Sequence, residues 1–253
     1  MDLGSNTVLV TGGASGIGLA LAVRFLRAGS AVIVCGRREE KLREAKEKHP
    51  EIHTRVCDLA DESERAGLVD WAVREFPRLN VLVNNAGIQL RVALTDAGQW
   101  ERVRDEIAIN FEAPVHLSAL LIPHLRRQQR AAIVNITSGL SFAPMSRVPV
   151  YCATKAAMHS FTLSLRHQLA ETPIEVIEII PPAVDTDLGG PGLHTFGVKV
   201  EELLDAVLPR IEKGEREVAF GFAEQSSHAS RAELDQLSAR LNNQLSLGSV
   251  MQS

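Results

Sequence analysis

The stretch TVLVTGGASGIG, residues 7–18, decides the fold of this chain. Its first five residues are rich in β-branched side chains and predict a strand, and the apolar spacing of Gly16–Ala28 predicts a helix. Between them, Gly12 permits a tight turn, Gly16 lets an anionic ligand approach the backbone, and Gly18 lets the helix pack close to the strand. The start of the helix also offers free N–H groups and the positive end of its dipole. The stretch therefore predicts a strand, an anion-binding turn and a helix in succession.

Short apolar runs alternate with helix-periodic runs as far as residue 180. Further strands are predicted at Ala31–Cys35, Ile52–Cys57, Val81–Asn84, Ala131–Thr137 and Ile174–Ile180. Helices are predicted at Glu39–Lys48, Glu62–Phe76, Gln99–Gln128 and Val150–Glu171. Pro114 lacks an N–H donor and is a candidate break in the third of these helices. Continuously apolar strands separated by helices predict an α/β fold, with a doubly wound parallel sheet of about seven strands flanked by helices.

The last third of the sequence is less regular. Prolines and glycines predict a loop over Pro181–Val198. A helix over Val200–Lys213 and a strand over Glu217–Phe222 are predicted next, and Glu224–Ser230 is a polar segment. The topology beyond residue 180 is therefore predicted in less detail than the part before it.

A capped helix is predicted at the end of the sequence. Ser230 and Glu233 have the spacing of a capping box. One face of the helix that follows carries a leucine stripe, formed by Leu234, Leu237, Leu241 and Leu245. Because no linker-like segment divides the chain, we expect one domain over residues 1–253, with residues 223–253 as its C-terminal helical extension.

The composition is that of an ordinary globular protein. Of 253 residues, 45% are hydrophobic and the formal net charge is −4, which excludes a disordered chain and argues against nucleic-acid binding through a general basic field. Cys35, Cys57 and Cys152 are too scattered for a disulfide framework or a metal site. The first residues lack the pattern of a secretory signal, and the longest apolar run, Val115–Leu125, is too short to span a membrane. We expect a cytoplasmic protein with buried, reduced thiols, no metal, and no nucleic-acid or membrane partner.

The glycine-rich turn at a strand–helix junction favours a dinucleotide as the anionic ligand. An acidic residue at the end of the second strand would bond a free ribose 2′-hydroxyl, but here that strand ends in Cys35-Gly36-Arg37-Arg38. Arg37 and Arg38 suit a 2′-phosphate through paired N–H donors, whereas cations at a helix start are otherwise unfavourable. The sequence therefore predicts NADP(H) as the preferred cofactor, with NAD(H) as the alternative.

Six short motifs occur along the sequence in a fixed order. They are Thr11–Gly18, Asp58, Asn84–Gly87, Asn110, Ser138 and Tyr151–Lys155. Together they resemble the soluble short-chain dehydrogenases/reductases, and the resemblance extends over about residues 5–222. Outside these motifs, the sequence is also similar to a subgroup of these reductases encoded beside D-alanylation operons. The resemblance implies a Rossmann-type fold, an NAD(P)(H) cofactor, carbonyl–alcohol chemistry and a homodimer or homotetramer.

Tyr151 and Lys155 form the central pair of the implied catalytic site. They lie four residues apart on a predicted helix, so they share one face. The Lys155 ammonium is expected to lower the pKa of Tyr151 from about 10 toward the range useful for general acid–base catalysis. By resemblance, Tyr151 gives a proton to a carbonyl oxygen during hydride transfer, and Lys155 also holds the nicotinamide ribose. By the same resemblance, Ser138 positions the carbonyl oxygen and Asn110 holds a water of the proton relay.

The resemblance also assigns the cofactor contacts. Besides Tyr151 and Lys155, the predicted cofactor-binding residues are Gly12, Ser15, Gly16, Ile17, Gly18, Arg37, Arg38, Asp58, Leu59, Asn85, Ala86, Gly87, Pro181, Val184 and Thr186. Asp58 and Leu59 belong to the adenine end of the site. Pro182 stands where the family usually has glycine, so the loop on the nicotinamide side is expected to be stiffer.

The substrate is expected beyond the carboxyl ends of the strands, between Gly139–Val150 and Asp185–Val198. These segments offer the apolar side chains of Leu140, Phe142, Met145, Val148, Leu188, Leu193 and Phe196. They favour a small apolar ketone or aldehyde, or the matching alcohol, over a charged metabolite. Two other hypotheses stay open: a catalytically silent, NADP-binding regulatory scaffold, and another reaction on this fold such as epimerisation. We assign the leucine stripe to a contact between subunits, with packing on its own domain as the alternative.

Overall fold

A computed structural model describes residues 1–96 and 98–248, with side chains described as far as residue 243. Seven parallel strands form one sheet in the order β3-β2-β1-β4-β5-β6-β7. The strands are β1 Thr7–Thr11, β2 Ala31–Gly36, β3 His53–Val56, β4 Val81–Asn84, β5 Ala131–Ile136, β6 Ile174–Ile180 and β7 Glu217–Ala219. The helices are α1 Gly16–Arg27, α2 Glu39–Lys48, α3 Glu62–Glu75, α4 Trp100–Ile107, α5 Ala113–Leu125, α6 Pro149–Gln168, α7 Val200–Glu212, α8 Phe222–Ser227 and α9 Arg231–Gly248. The predicted doubly wound, Rossmann-type α/β fold is confirmed.

Helices cover both faces of the sheet, as the apolar strands predict. Val8 and Val10 of β1 pack in the cluster that includes α1 and α7, whereas Leu9 between them packs in the cluster that includes α3 and α5. All three side chains are fully buried, because alternate residues of a strand point to opposite covered faces. Since all strands run parallel, their carboxyl ends share one edge, and the strand order reverses between β1 and β4. That reversal opens a crevice where ligands bind in folds of this class.

The long helical segment predicted over Gln99–Gln128 is not broken at Pro114. Instead, α4 passes into a π-helical turn over Ala108–Glu112, which passes directly into α5. The N–H of Ala113 bonds to the carbonyl five residues back. Pro114 lies in the first turn of α5, and the wider turn before it accommodates the missing N–H donor.

The strand predicted over Glu217–Phe222 is too long. β7 ends at Ala219, and Gly221, with a φ of 58°, turns the chain into α8. A positive φ favours glycine and cannot continue a strand. The polar segment Glu224–Ser230 therefore begins inside a helix that the sequence pattern missed, because six residues are too few to show a period.

The helix α9 starts at the predicted capping box. The Glu233 carboxylate accepts hydrogen bonds from the N–H and the hydroxyl of Ser230, each at 2.7 Å. The Ser230 hydroxyl accepts in return from the N–H of Glu233 at 3.4 Å. These reciprocal bonds satisfy donors at the start of the helix, and the predicted C-terminal helix is confirmed.

The described part of the leucine stripe packs on its own chain. Leu237 is 7% exposed, and Ser238 and Asn242 both donate hydrogen bonds to the carbonyl of Pro144, at 3.1 Å each. Leu237 is thus covered within its own chain, as the alternative expects, whereas Leu234 and Leu241 are only half-buried and the contact between subunits stays a prediction. The side chain of Leu245 lies outside the described residues.

The three cysteines are free and buried, as predicted. Burial raises the pKa of the Cys57 thiol to about 11 and also raises the pKa of Cys152, so both stay protonated at neutral pH. In the described part of the chain, no helix combines the length and the apolar character that a membrane crossing needs.

Candidate active site

A cavity of about 1140 Å³ opens at the carboxyl ends of the strands. It extends from the glycine-rich turn after β1, past the ends of β2, β3 and β4, to α6 and the loop after β6. The predicted site residues that line it are Gly12, Ser15, Gly16, Ile17, Arg37, Arg38, Asp58, Leu59, Asn85, Ala86, Gly87, Ser138, Tyr151, Lys155, Pro181, Val184 and Thr186. Gly18 and Asn110 are not part of its lining. The fold thus gathers residues from distant segments of the chain around one space.

The glycine-rich turn has the geometry that its sequence predicts. Gly12 and Gly16 have φ values of 63° and 54°, in the region that favours glycine. A Cβ on Gly12 would lie 2.9 Å from the Cα of Ala86, and one on Gly16 would lie 3.2 Å from the Cγ2 of Thr186. Ser15 precedes α1 without a side-chain hydrogen bond to the helix, so the first N–H groups are left for a ligand. The turn therefore fits the diphosphate of a dinucleotide.

Gly18 has a packing role behind this turn. A Cβ on Gly18 would overlap the side-chain amide of Asn85 and would lie 2.5 Å from the carbonyl oxygen of Gly12. That amide donates to the carbonyls of Thr11 and Gly12, at 2.9 and 3.3 Å, and so ties the end of β4 to the turn. The missing side chain of Gly18 therefore makes room for Asn85, and its contact with a cofactor stays a prediction.

We expect Gly18→Ala to lower the free energy of unfolding by about 1–3 kcal/mol, since the added methyl must displace Asn85 or the turn. Urea-induced unfolding measures this change. Gly67→Ala is the matched control, because Gly67 lies on the exposed side of α3 with no atom within 4 Å of its added Cβ. The control should be neutral or stabilise by about 0.5–1 kcal/mol through helix propensity. A Gly18→Ala protein as stable as the parent would contradict the packing role.

Two arginines stand at the end of β2. The side chains of Arg37 and Arg38 are exposed, and both residues line the cavity. The guanidinium of Arg38 donates to the hydroxyl of Ser15 at 3.2 Å, so it reaches across to the glycine-rich turn. This pair of cations beside the turn can hold a phosphate on a ribose 2′-oxygen.

The segments after β3 and β4 complete this end of the cavity. The backbone N–H groups of Asn85 and Ala86 both donate to the hydroxyl of Thr11, at 3.0 Å each. The Asp58 carboxylate accepts a hydrogen bond from the N–H of Ala60 at 3.0 Å, which orients it in the wall. These bonds hold in place the residues that are predicted to bind the adenine and its ribose.

Ser138, Tyr151 and Lys155 meet at the other end of the cavity. Ser138 follows β5, whereas the other two lie one turn apart on α6. The Ser138 hydroxyl is hydrogen bonded to the Tyr151 hydroxyl, and it also accepts from the N–H of Leu140 at 3.1 Å. The Nζ of Lys155 donates to the carbonyl of Ile136 at 2.7 Å and lies 5.8 Å from the centre of the Tyr151 ring. The predicted catalytic residues Ser138, Tyr151 and Lys155 thus lie together in one wall of the cavity.

The titration of this pair differs from the sequence-based expectation. Burial raises the pKa of Tyr151 above its ordinary value, while the hydrogen bond from Ser138 acts in the opposite direction. Burial also lowers the pKa of Lys155 to about 8, although the negative charge of Glu178 acts in the opposite direction. Burial of the phenolate is the largest influence on the pKa of Tyr151, so the net shift is opposite to the one expected from Lys155 alone. At neutral pH Tyr151 carries its proton and can act as a donor.

Asn110 lies behind the cavity wall, in the π-helical turn. Its side chain bonds both backbone groups of Ile88, at 2.8 Å each, and donates to the hydroxyl of Thr154 at 3.3 Å. The side chain is 1% exposed, and both of its N–H donors are occupied. The predicted role of Asn110 in holding a water of the proton relay stays a prediction. Asn110 positions Ile88, which does line the cavity.

The loop after β6 is held on both sides. Val184 forms an isolated parallel bridge with Val198, and Thr186 lies against Gly16 of the glycine-rich turn. Pro182, which replaces the glycine usual in the family, also lines the cavity. The bridge closes this loop, and the stiffness expected from Pro182 stays a prediction.

Apolar side chains surround Tyr151 on the substrate side. Leu140, Met145 and Leu188 pack with Val148, Tyr151 and Cys152. The predicted apolar residues that line the cavity are Leu140, Met145, Val148, Leu188, Leu193 and Phe196. Phe142 does not line the cavity; it packs against Ile180, Ala219 and Ala223, with its ring 4.7 Å from that of His159. Its assignment to the substrate pocket is wrong, because the helical turn at Gly139–Ser141 directs it into the core behind β6 and β7.

Sequence reasoning missed several residues at this end. Arg91 and Arg147 line the cavity although they belong to no motif. Glu106 of α4 is fully buried and accepts a hydrogen bond from the N–H of Leu90 at 2.9 Å. Burial raises the pKa of Glu106 to about 7. The sequence signal for Glu106 is a charged residue on the inner face of a predicted helix. That signal is informative only once the packing of α4 against α6 is known.

Residues 6–193 match the protein family described as short chain dehydrogenase. That segment contains the glycine-rich turn, Ser138, Tyr151 and Lys155. The chain belongs to the short-chain dehydrogenase family. Membership places it among the oxidoreductases and confirms the resemblance carried by the ordered motifs.

Similar proteins indicate which subgroup of the family this chain resembles. The uncharacterized oxidoreductase DltE of Bacillus subtilis is 50% identical over 250 residues, which cover 96% of this chain and 99% of that protein. A short chain dehydrogenase from Burkholderia cenocepacia in complex with NADP has a TM-score of 0.82 at 26% identity, covering 95% of this chain and 99% of that one. A short-chain dehydrogenase from Sphingobium yanoikuyae in complex with NADPH has a TM-score of 0.78 at 27% identity, covering 98% and 96%. The predicted likeness to the D-alanylation-associated subgroup is confirmed by the first of these.

Proposed function

We propose that this short-chain dehydrogenase interconverts a carbonyl compound and an alcohol by hydride transfer with NADP(H). One observation carries the proposal: the hydrogen-bonded pair of Ser138 and Tyr151 and the glycine-rich turn line the same continuous cavity. When bound there, the nicotinamide supplies or accepts the hydride. The residues of the chain supply the proton and the positioning.

The preference for NADP(H) over NAD(H) rests on charge. Arg37 and Arg38 offer two guanidiniums beside the turn, where a 2′-phosphate adds negative charge that NAD(H) lacks. Two similar solved structures contain NADP or NADPH, which supports the same choice. NAD(H) stays the alternative.

Proton transfer falls to Tyr151. A carbonyl oxygen beside the Ser138–Tyr151 pair accepts hydrogen bonds from both hydroxyls, and the Tyr151 proton moves to it as hydride adds to the carbon. The products are an alcohol and a phenolate, which the nearby Lys155 ammonium stabilises until Tyr151 regains a proton. Because burial raises the pKa of Tyr151, the protonated form that carbonyl reduction requires predominates at neutral pH, and the phenolate that alcohol oxidation requires as a base forms only in more alkaline solution.

An apolar carbonyl substrate follows from the side chains around Tyr151. We expect NADPH consumption with small apolar ketones and aldehydes, since Leu140, Met145 and Leu188 exclude water from that wall. The test is a panel of carbonyl compounds, including polyanionic ones, followed by loss of NADPH absorbance. Turnover of polyanionic compounds alone would overturn the apolar assignment, and product formed without net NADPH oxidation would favour epimerisation instead.

A homodimer or homotetramer stays a prediction for the assembly. Besides the leucine stripe, α4 offers an exposed apolar surface. Trp100 and Ile107 lie two turns apart on α4 and are 63% and 37% exposed, which suits an interface between subunits.

A further inference from the structure

A buried arginine lies behind the adenine end of the cavity, and the proposed chemistry does not use it. Arg65 of α3 is 1% exposed. A buried guanidinium requires acceptors for its N–H groups and a negative partner. Its Nη1 donates to the carbonyl of Leu59 at 2.8 Å, its Nε donates to the Nδ1 of His116 at 3.1 Å, and its Nη2 forms an ion pair with Glu112. The guanidinium is therefore held by partners from three segments of the chain.

The turn between β3 and α3 contains Asp58 and Leu59, which are predicted to bind the adenine and which line the cavity. Two adjacent side chains of α3 hold this turn. The Glu64 carboxylate accepts a hydrogen bond from the N–H of Asp58 at 2.6 Å, whereas Arg65 donates to the carbonyl of Leu59. These two bonds fix the peptide groups on either side of the Asp58–Leu59 pair.

Stability alone does not require a guanidinium at this position. A buried ion pair gains about as much free energy as its charges lose on leaving water, and an apolar side chain of similar volume often serves as well. The rest of the buried face of α3 is in fact apolar, formed by Leu68, Val69 and Ala72. An apolar side chain at residue 65 could not donate a hydrogen bond to the carbonyl of Leu59.

Arg65 is itself anchored by α5, which packs against α3. Glu112 ends the π-helical turn before α5, and His116 lies one turn further along the helix. The Glu112 side chain is 56% exposed, so it neutralises the guanidinium without being a second buried charge. The bond to Leu59 therefore comes from a donor whose own position is set by two helices.

We propose that Arg65 is a positioning residue for the cofactor: its bond to the Leu59 carbonyl keeps Asp58 and Leu59 in the geometry that receives the adenine ring. The proposal rests on the proposed function, because it requires NADP(H) to occupy this cavity. Arg65 is not part of the cavity lining, so it acts only through the turn that it holds.

Two consequences separate this role from that of Arg37 and Arg38. The adenine ring is common to NADPH and NADH, so loss of Arg65 must weaken the binding of both cofactors by the same factor. The turn and Tyr151 lie at opposite ends of the cavity, so kcat at saturating cofactor must stay the same. Loss of the two exposed arginines, in contrast, discriminates between the two cofactors.

The test is Arg65→Met, which keeps an unbranched side chain and removes the charge and the donors. Binding of NADPH and of NADH is measured by fluorescence titration without a carbonyl compound. Adenosine 2′,5′-bisphosphate, which carries the adenine but no nicotinamide, is measured by calorimetry. We expect all three Kd values to rise about tenfold, as for the loss of one hydrogen bond from a charged donor. With a carbonyl compound, kcat at saturating NADPH should equal that of the parent.

Two further variants make the result specific. Glu112→Gln removes the charge of the ion pair but leaves Arg65 bonded to Leu59, and it should leave the three Kd values unchanged. Leu208→Ala removes buried apolar volume from α7, in the cluster on the other face of the sheet. It should lower the free energy of unfolding without weakening the binding of either cofactor, so it separates lost stability from lost positioning.

The proposal is overturned by an unchanged Kd for adenosine 2′,5′-bisphosphate in Arg65→Met, or in Arg65→Leu should the first variant not fold. It is equally overturned if NADPH alone is weakened, or if Glu112→Gln or Leu208→Ala weakens binding as far as Arg65→Met does. Because these titrations need no carbonyl compound, a parent protein that binds NADPH and reduces nothing refutes the proposed chemistry and leaves the test of Arg65 valid.

Discussion

Tyr151→Phe is expected to lower kcat for carbonyl reduction by roughly 10²–10⁴-fold, the range that a positioned general acid contributes. The substitution removes only the hydroxyl that bonds Ser138, while the ring keeps its packing against Val148 and Leu140. Binding of NADPH should persist, because the glycine-rich turn and the arginines are untouched. Initial rates of NADPH oxidation and a fluorescence titration of NADPH measure the two effects separately.

The same hydroxyl can be followed directly. Tyr151 is the only tyrosine in the chain, so tyrosinate absorbance reports on this group alone. Because burial raises its pKa, the tyrosinate signal of the protein without cofactor should appear only above the usual range of tyrosine. Undiminished turnover in Tyr151→Phe would refute the acid role. NADPH binding without turnover of any carbonyl in the parent protein would favour the silent scaffold.

Replacing Arg37 and Arg38 together by Ala is expected to raise the KM for NADPH roughly 10–100-fold and to change the KM for NADH far less. A hydrogen bond to a charged group contributes about 1.5–3 kcal/mol, and about 1.4 kcal/mol corresponds to a factor of ten. The reason is local, since both residues line the cavity and Arg38 already reaches Ser15 of the turn. Steady-state kinetics with each cofactor give the comparison.

Arg43→Ala is the matched control for this loss of positive charge. Arg43 lies on α2, is largely exposed, and contacts only the Glu47 carboxylate at 3.8 Å among the ion pairs of the described residues. Its removal should leave both KM values unchanged. Equal weakening of NADPH and NADH in the arginine double variant would show that the two guanidiniums do not recognise a 2′-phosphate.

Features that depend on backbone geometry could be predicted from the sequence. Gly12 and Gly16 were expected at a turn that only glycine fits, and both have a positive φ there. The continuously apolar strands required helices on both faces, and they have them. Tyr151 and Lys155 share a helix face because four residues make about one turn. In each case neighbouring residues carry the information.

Features that depend on packing between distant segments could not be predicted. The raised pKa of Tyr151 comes from burial by loops whose arrangement no local pattern encodes. The hydrogen bonds of the Asn110 side chain to both backbone groups of Ile88 depend on the π-helical turn, which no local pattern announces. Glu178 is one of two charged residues in an otherwise apolar strand, and its partners come from the residue after β5 and from α6. Such contacts depend on how each helix is positioned along the sheet.

The contact between α9 and the loop before α6 bears on the kinetics of ligand exchange. Asn242 accepts a hydrogen bond from the N–H of Ser146 at 2.7 Å and donates to the carbonyl of Pro144 at 3.1 Å. A substrate that enters past this loop must break these bonds or move the helix with it. We therefore expect substitutions at Asn242 to alter the rate of product release while the rate of hydride transfer stays the same.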